Sequence, residues 1–189
     1  AFNIENIKNL SGVIFASNHR SHLDPPVLNS VLDNFPYFIA KQELFDAPVI
    51  GWLYNHMRAI PVKRGSGDFQ ALEKAIELLN MGCNVAIFPE GKRAPRGEFL
   101  KPKTGVGIIV VKAKKPVIPV FIENTDINFP PGAKYPTPKA PINVYFGEPV
   151  YYDNIEDDIK GYKFIANDIM ERIKALSKFG QSPIEQNSQ

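Results

Sequence analysis

The chain has 189 residues, of which 44% are hydrophobic and 22% charged, and its formal net charge is +2. This composition predicts one globular domain with a sizeable core, and the small net charge argues against a general nucleic-acid binder. The single cysteine excludes an internal disulfide and is typical of a reducing compartment. No apolar run reaches the roughly 18–20 residues of a membrane-spanning helix, and no signal peptide is visible. The chain begins with alanine rather than methionine, which leaves room for further N-terminal residues.

Apolar segments alternate with helical patterns along the chain. Strands are predicted at 12–16, 36–41, 58–63, 84–88, 117–122 and 142–146. Helices are predicted at 25–32, 43–57, 68–81, 106–114 and 155–176, with Gly82 ending the third of them. This alternation predicts an α/β fold with a central, mostly parallel or mixed sheet flanked by helices, and an active site at the carboxyl ends of the strands. Residues 1–180 form the predicted domain, which includes a proline-rich surface loop at 129–141, and residues 181–189 form a polar tail.

A polar segment directly follows the first predicted strand. It contains His19 and, five residues later, Asp24, which precedes Pro25 and Pro26. Prolines fit the first turn of a helix, so Asp24 is predicted as the N-cap of the next helix. A turn between the two side chains can bring the carboxylate to the imidazole, which is a general-base arrangement. The alternative is a capping aspartate beside a hydrogen-bonded histidine with no catalytic role.

A metal site is a further alternative, because His19, His22 and Asp24 lie close together in the sequence. Metallo-hydrolases of the β-lactamase type use His-x-His-x-Asp-His, whereas this chain has His-x-x-His-x-Asp with no following histidine. His56 and Cys83 are the remaining histidine and cysteine, too few for a three- or four-ligand site. We therefore expect no metal and no cofactor.

Three polar residues follow predicted strands. His19, Arg64 and Glu90 each come just after a strand, and the carboxyl ends of parallel strands meet at one edge of a sheet. We therefore expect these residues to converge there.

Four sequence blocks carry a family resemblance. They are Asn18-His19 with Asp24, then Arg64, then Phe88-Pro89-Glu90-Gly91-Lys92-Arg93, then Val117-Ile118-Pro119-Val120. In this order the blocks resemble the glycerolipid acyltransferase family, which includes the 1-acyl-glycerol-3-phosphate acyltransferases. The resemblance covers roughly residues 12–150 and implies acyl transfer from acyl-CoA or acyl carrier protein to a glycerol hydroxyl. For 1-acyl-glycerol-3-phosphate, the product is phosphatidic acid.

The resemblance implies roles for individual residues. His19 is the base that takes the hydroxyl proton, and Asp24 orients it. Backbone N–H groups around Gly91 and the ammonium of Lys41 are candidates for stabilising the oxyanion. The alternative for Lys41 is an exposed lysine at a strand end.

A covalent acyl-enzyme is less economical than direct attack by the acceptor. The sequence has no Gly-x-Ser-x-Gly elbow, since Ser66 lacks that spacing, and Cys83 is expected to be buried between a helix and a strand. Ser21 beside His19 remains an alternative nucleophile.

The acceptor phosphate requires fixed cations. Residues 90–103 contain five lysines and arginines against two glutamates, and a solvated loop is the alternative interpretation of this run. By resemblance, Arg64, Glu90 and Arg93 contribute to the phosphate site, and Lys92 of the basic run is a further candidate. Glu90 can instead hold an arginine in place.

Two departures from the family pattern affect substrate preference. His22 and Pro25 stand where relatives often have an aromatic and an aliphatic residue, and Lys92 stands where threonine or serine is common. Before Gly12, the amphipathic N-terminal helices of bacterial members are absent from this sequence. The aromatic segment 44–57 is predicted to be a core helix, and the alternative is an apolar wall or a membrane-facing patch. We expect peripheral attachment at the cytoplasmic face of the membrane through that segment, the proline loop or preceding residues.

Several functions fit these features. The leading hypothesis is a lysophosphatidic acid acyltransferase whose partners are a lysophospholipid, an acyl thioester and the membrane surface. The alternatives are an acyltransferase for glycerol-3-phosphate or another lysolipid, a non-catalytic lipid-binding relative, and a thioesterase-like hydrolase.

Overall fold

A computed structural model of the chain describes residues 1–42, 45–46, 51, 56–62 and 67–179. Most of the helix predicted at 43–57 lies outside these residues, as do Arg64 and the polar tail. Of Lys41, only the backbone is described.

In the described residues, six strands form one sheet. They are β1 (Ile14–Ser17), β2 (Tyr37–Lys41), β3 (Ala59–Val62), β4 (Val85–Ile87), β5 (Val117–Glu123) and β6 (Asn143–Phe146). Their order is β3-β2-β4-β1-β5-β6, and every neighbouring pair is parallel except the antiparallel pair β5–β6. The predicted α/β fold with a mostly parallel sheet is therefore confirmed, and all six predicted strands are present.

Helices flank this sheet. They are α1 (Asp24–Ser30), α2 (Gly67–Asn80), α3 (Gly105–Ala113), α4 (Thr125–Asn128) and α5 (Ile159–Phe179), preceded by a 3-10 helix at Ile4–Ile7. Gly82 follows α2 with a φ of +82°, a conformation that glycine adopts without the strain of a Cβ atom, so the predicted helix end is confirmed. The closing helix begins at Ile159 instead of 155, because Ile155 packs against the core from the preceding loop. The single turn α4 was not predicted.

The core lies on both faces of the sheet. On one face, buried side chains of α2, α3 and α5 such as Leu79, Ile109 and Ile169 pack on the sheet. On the other face, α1 contributes Leu28, which packs with Phe146 of β6. Because β1 and β4 are parallel neighbours, the segments that follow them leave the sheet at the same edge.

The contact between α3 and α5 depends on a glycine. A Cβ atom at Gly107 would lie 2.3 Å from the backbone oxygen of Tyr162 and 2.6 Å from its Cα. The two backbones therefore approach more closely than any other residue would permit.

We predict that Gly107→Ala lowers stability by about 1–3 kcal/mol, because the added methyl group must push the α5 backbone away. Thermal or urea unfolding measures this change. Gly105→Ala in the same helix is the matched control, since its nearest neighbour is a flexible Leu72 side chain at 3.3 Å. Equal losses in both variants would contradict the explanation.

Candidate active site

The residue before the candidate base is fixed by a paired amide. Asn18 is fully buried, and its Nδ2 donates to the Ile122 carbonyl at 2.9 Å while its Oδ1 accepts from the Ile122 N–H at 2.7 Å. The side chain thus extends the pairing of β1 with β5 beyond the end of the strand. His19 therefore follows a residue that is fixed at the carboxyl edge of the sheet.

His19 and Asp24 are brought together as the sequence predicts. His19 Nδ1 lies 2.7 Å from Asp24 Oδ2; Asp24 is fully buried, whereas 17% of the His19 side chain is exposed. The imidazole also stacks on the Phe88 ring, with centroids 4.2 Å apart. Because Nδ1 is engaged by the carboxylate, Nε2 is the nitrogen left for a substrate.

The predicted capping role of Asp24 is wrong. Asp24 is the first residue of α1, and Leu23 occupies the N-cap position. Its carboxylate turns back toward the motif and accepts from the N–H groups of Arg20 at 2.7 Å and Ser21 at 2.8 Å. The prolines do lie in the first turn, as expected. The Asp24 carboxylate therefore accepts hydrogen bonds from the loop before α1 and not from the N–H groups in the first turn of the helix.

Glu90 supports the motif from behind. It is 2% exposed, and its two oxygens accept from the backbone N–H groups of His19 at 3.1 Å and Leu100 at 2.7 Å. Burial raises the pKa of Glu90, while these two hydrogen bonds act in the opposite direction. In the described residues, both Glu90 oxygens accept hydrogen bonds from backbone N–H groups, and Arg64, a candidate arginine beside Glu90, lies outside those residues. The Ala94 N–H donates to the His19 carbonyl at 2.8 Å, so the loop after β4 binds His19 at both its N–H and its carbonyl.

A cavity of about 850 Å³ opens in front of His19. His19, Gly91, Lys92 and Arg93 line it, so four of the residues proposed from sequence share one space. Asp24 and Glu90 lie behind this wall and do not line it. The Lys41 side chain and Arg64 fall outside the described residues.

Much of the cavity wall is apolar. Side chains from β2, α2, β4 and α3 contribute, and they include Phe38, Ala71, Leu72, Ile87, Val106 and Ile108. The cavity thus combines a base at one wall, cations at its rim and a hydrocarbon surface deeper in.

Gly91 shapes the loop that follows β4. Its φ is +68°, and a Cβ atom there would lie 2.8 Å from Lys103 Cε. Its N–H donates to the Phe88 carbonyl at 2.9 Å, so this particular N–H already has an acceptor. The neighbouring N–H groups of Lys92 and Arg93 have no acceptor among the residues that the structure describes.

Three further residues belong to the site: the sequence connects His22 only with substrate preference or a metal and Lys103 only with the basic run 90–103, and it does not indicate Thr125. His22 and Lys103 line the cavity, and Thr125 donates from Oγ1 to Asp24 Oδ1 at 2.5 Å. Lys103 belongs to the basic run that the sequence analysis singled out, and that run could have indicated it. No sequence pattern pointed to Thr125, which lies 101 positions from its partner.

The alternative nucleophiles are occupied or remote. Ser21 is buried, and its hydroxyl donates to the Phe129 carbonyl at 3.0 Å. Cys83 is half-buried between α2 and β4, and it does not line the cavity. Across the described ranges, no group of three or more His, Cys, Asp and Glu side chains could hold a metal ion.

Comparison with known proteins identifies the family. A family model described as Acyltransferase matches residues 2–123, well over half of the chain. The chain belongs to this acyltransferase family. It is 33% identical over 140 residues to the chloroplastic 1-acyl-sn-glycerol-3-phosphate acyltransferase of Brassica napus, covering 73% of this chain and 40% of that protein. Against the Arabidopsis thaliana protein of the same description, the identity is 32% over 155 residues, which is 79% of this chain and 43% of that one.

A solved structure shares the acyltransferase fold. The 1-acyl-sn-glycerophosphate acyltransferase PlsC of Thermotoga maritima matches with a TM-score of 0.76 and 28% identity. The match covers 96% of this chain and 71% of the Thermotoga chain. This acyltransferase chain spans about two fifths of the length of the two plant relatives.

His22 provides a test of the site's electrostatics. Burial lowers the pKa of His22 below its ordinary value of 6.5, and the nearby Arg93 and His19 lower it further, while Asp24 opposes the change. The unfolded chain therefore takes up this proton at a higher pH than the folded protein does. As the pH falls below 6.5, the folded state loses stability.

We predict that His22→Phe makes stability less sensitive to acid between about pH 7 and pH 5, because the titrating group is gone. Melting temperatures of both proteins across this range measure the slope. An unchanged slope would mean that His22 binds its proton equally well in the folded and unfolded states.

Proposed function

We propose that this chain transfers an acyl group from a thioester to the sn-2 hydroxyl of 1-acyl-glycerol-3-phosphate, giving phosphatidic acid. The observation that carries the proposal is the His19–Asp24 pair, 2.7 Å apart, at the wall of a cavity that has a cationic rim and an apolar interior. The names of the relatives in plants and Thermotoga support the same reaction.

His19 acts as the general base in this proposal. Nε2 takes the proton of the acceptor hydroxyl as the oxygen attacks the thioester carbonyl carbon, and Asp24 stabilises the imidazolium that forms. The tetrahedral intermediate then expels the thiolate, to which His19 returns the proton. One ester bond replaces one thioester bond, and no cofactor is required.

The developing oxyanion needs hydrogen-bond donors. The Gly91 N–H already donates to Phe88, which favours the adjacent N–H groups of Lys92 and Arg93 at the cavity wall. The ammonium of Lys41 remains a further candidate.

Cations at the rim would bind the acceptor phosphate. Lys92, Arg93 and Lys103 line the cavity, and Arg64 is expected to join them. Arginine in particular can bind a phosphate through two parallel hydrogen bonds. Glu90 contributes indirectly, because its carboxylate holds the His19 backbone.

The remaining assignments concern the donor and the membrane. An apolar wall suits the acyl chain of either acyl-CoA or acyl carrier protein.

Within the described ranges, no helix has both the length and the apolar character needed to cross a membrane. We propose peripheral attachment at the cytoplasmic face, and the proline loop is one candidate contact because Tyr135 is 68% exposed there.

We predict that His19→Ala lowers kcat by about 10²–10⁴-fold, because the proton acceptor is lost. The assay measures thiol release from palmitoyl-CoA in liposomes with lysophosphatidic acid, glycerol-3-phosphate or no acceptor. His56→Ala is the control for the loss of an exposed imidazole, and co-sedimentation with the liposomes checks that both variants still attach to the membrane. Circular dichroism checks that each variant is folded.

Comparing the assays with each acceptor and without acceptor distinguishes the competing functions. Release that depends on lysophosphatidic acid supports the proposal, and release that depends on glycerol-3-phosphate supports the other acceptor. Release without acceptor indicates a hydrolase. Wild-type protein that is silent with both palmitoyl-CoA and acyl carrier protein, yet binds the liposomes, indicates a non-catalytic lipid-binding relative.

We predict that Arg93→Ala raises KM for the phosphorylated acceptor about tenfold or more, because a hydrogen bond to a charged group contributes roughly 1.5–3 kcal/mol. The kcat value should change little. Arg96→Ala is the control, since Arg96 is exposed on the same loop but does not line the cavity. An unchanged KM would remove Arg93 from the phosphate site.

A further inference from the structure

Thr125 is the first residue of α4 and is fully buried. Its Oγ1 donates to Asp24 Oδ1 at 2.5 Å, across a separation of 101 residues. A carboxylate only accepts hydrogen bonds, so the hydroxyl must be the donor. This contact links the segment that directly follows β5 to the His19–Asp24 pair.

The other donors to Asp24 come from its own loop. His19, Arg20 and Ser21 all bind Oδ2, and all three lie within five residues of Asp24. They would move together with the loop if it shifted. In the described residues, Thr125 is the only donor to Oδ1 and the only donor to the carboxylate from another part of the fold. The angle of the carboxylate relative to the sheet therefore depends on Thr125.

A second contact ties the same helical turn to the motif. The Ser21 hydroxyl donates to the carbonyl of Phe129, which directly follows α4, and the Phe129 N–H donates to the Thr125 carbonyl. The branched Cβ atom of threonine also restricts its side-chain rotation, which suits a hydroxyl that must point in one direction.

We propose that Thr125 is a positioning residue for the reaction, which holds the Asp24 carboxylate in the plane and at the distance that the His19 imidazole requires. This inference rests on the proposed function. Thr125 does not touch the substrate, because it does not line the cavity. Its effect reaches the reacting atoms through Asp24 and then His19.

Thr125→Val tests the role, since it keeps the shape and removes the hydroxyl. We expect kcat to fall on the order of tenfold, a part of the 10²–10⁴ that a positioned base contributes, with KM for the acceptor unchanged. Thr125→Ser restores the donor and should recover most of the activity. Equal activity of Thr125→Val and wild type would overturn the proposal, as would a serine variant no better than the valine variant.

Loss of stability alone needs a separate control. Ile173→Val removes one methylene from the core beneath α5 at a residue that does not line the cavity. We expect it to lower the melting temperature but leave kcat at wild-type level. A loss of kcat in Ile173→Val that matches the loss in Thr125→Val would overturn a specific role for Thr125.

A readout without turnover separates this inference from the proposed function. The His19 Nδ1 proton, shared with a carboxylate, gives a downfield proton NMR signal that His19→Ala identifies by removing it. We expect the signal in wild type and Thr125→Ser, and its loss or broadening in Thr125→Val. If wild type transfers no acyl group but the signal follows this pattern, the proposed function fails and the positioning role stands. An unchanged signal in Thr125→Val overturns the positioning role.

Discussion

The arrangement of the site depends on one buried carboxylate. Asp24 is wholly removed from solvent, and an ionised carboxylate in that position is costly unless its oxygens are hydrogen-bonded. The loop between β1 and α1 meets this requirement with two backbone N–H groups and the His19 ring, and Thr125 adds a hydroxyl. The same contacts that make burial tolerable also fix the imidazole. The geometry of the candidate site and the burial of Asp24 therefore depend on one set of hydrogen bonds.

The sheet supplies the second constraint. β1 pairs with β4 on one side and β5 on the other, both in parallel. The ends of these three strands consequently meet at one edge of the sheet. There the Glu90 carboxylate accepts a hydrogen bond from the His19 N–H, and the Asn18 side chain is hydrogen-bonded to the Ile122 backbone. His19 is therefore held by residues that are distant in the sequence, and it lines a cavity whose wall also contains cationic and apolar side chains.

Hydrophobic periodicity was sufficient to predict the strands and most helices, because most of the apolar positions in the described elements are buried; Phe69 and Ile159 are exceptions and are exposed. The position of the site at the strand ends followed from the parallel topology. The prediction that Asp24 is an N-cap was wrong. Sequence spacing does not reveal that its carboxylate accepts hydrogen bonds from the N–H groups of Arg20 and Ser21 instead. Glu90 was assigned to phosphate or arginine because its backbone partners, His19 and Leu100, carry no sequence signal. Thr125 could not be predicted for the same reason.

The contacts that complete the site span long stretches of chain. His19 and Glu90 are separated by 71 residues, Asp24 and Thr125 by 101, and Asn18 and Ile122 by 104. Closing such loops costs chain entropy before any contact repays it, and contacts of high sequence separation form slowly. During synthesis, Asp24 leaves the ribosome 101 residues before Thr125, so its carboxylate lacks the Oδ1 donor until β5 and α4 have followed. The His19–Asp24 pair is thus synthesised before the distant segments whose contacts complete it.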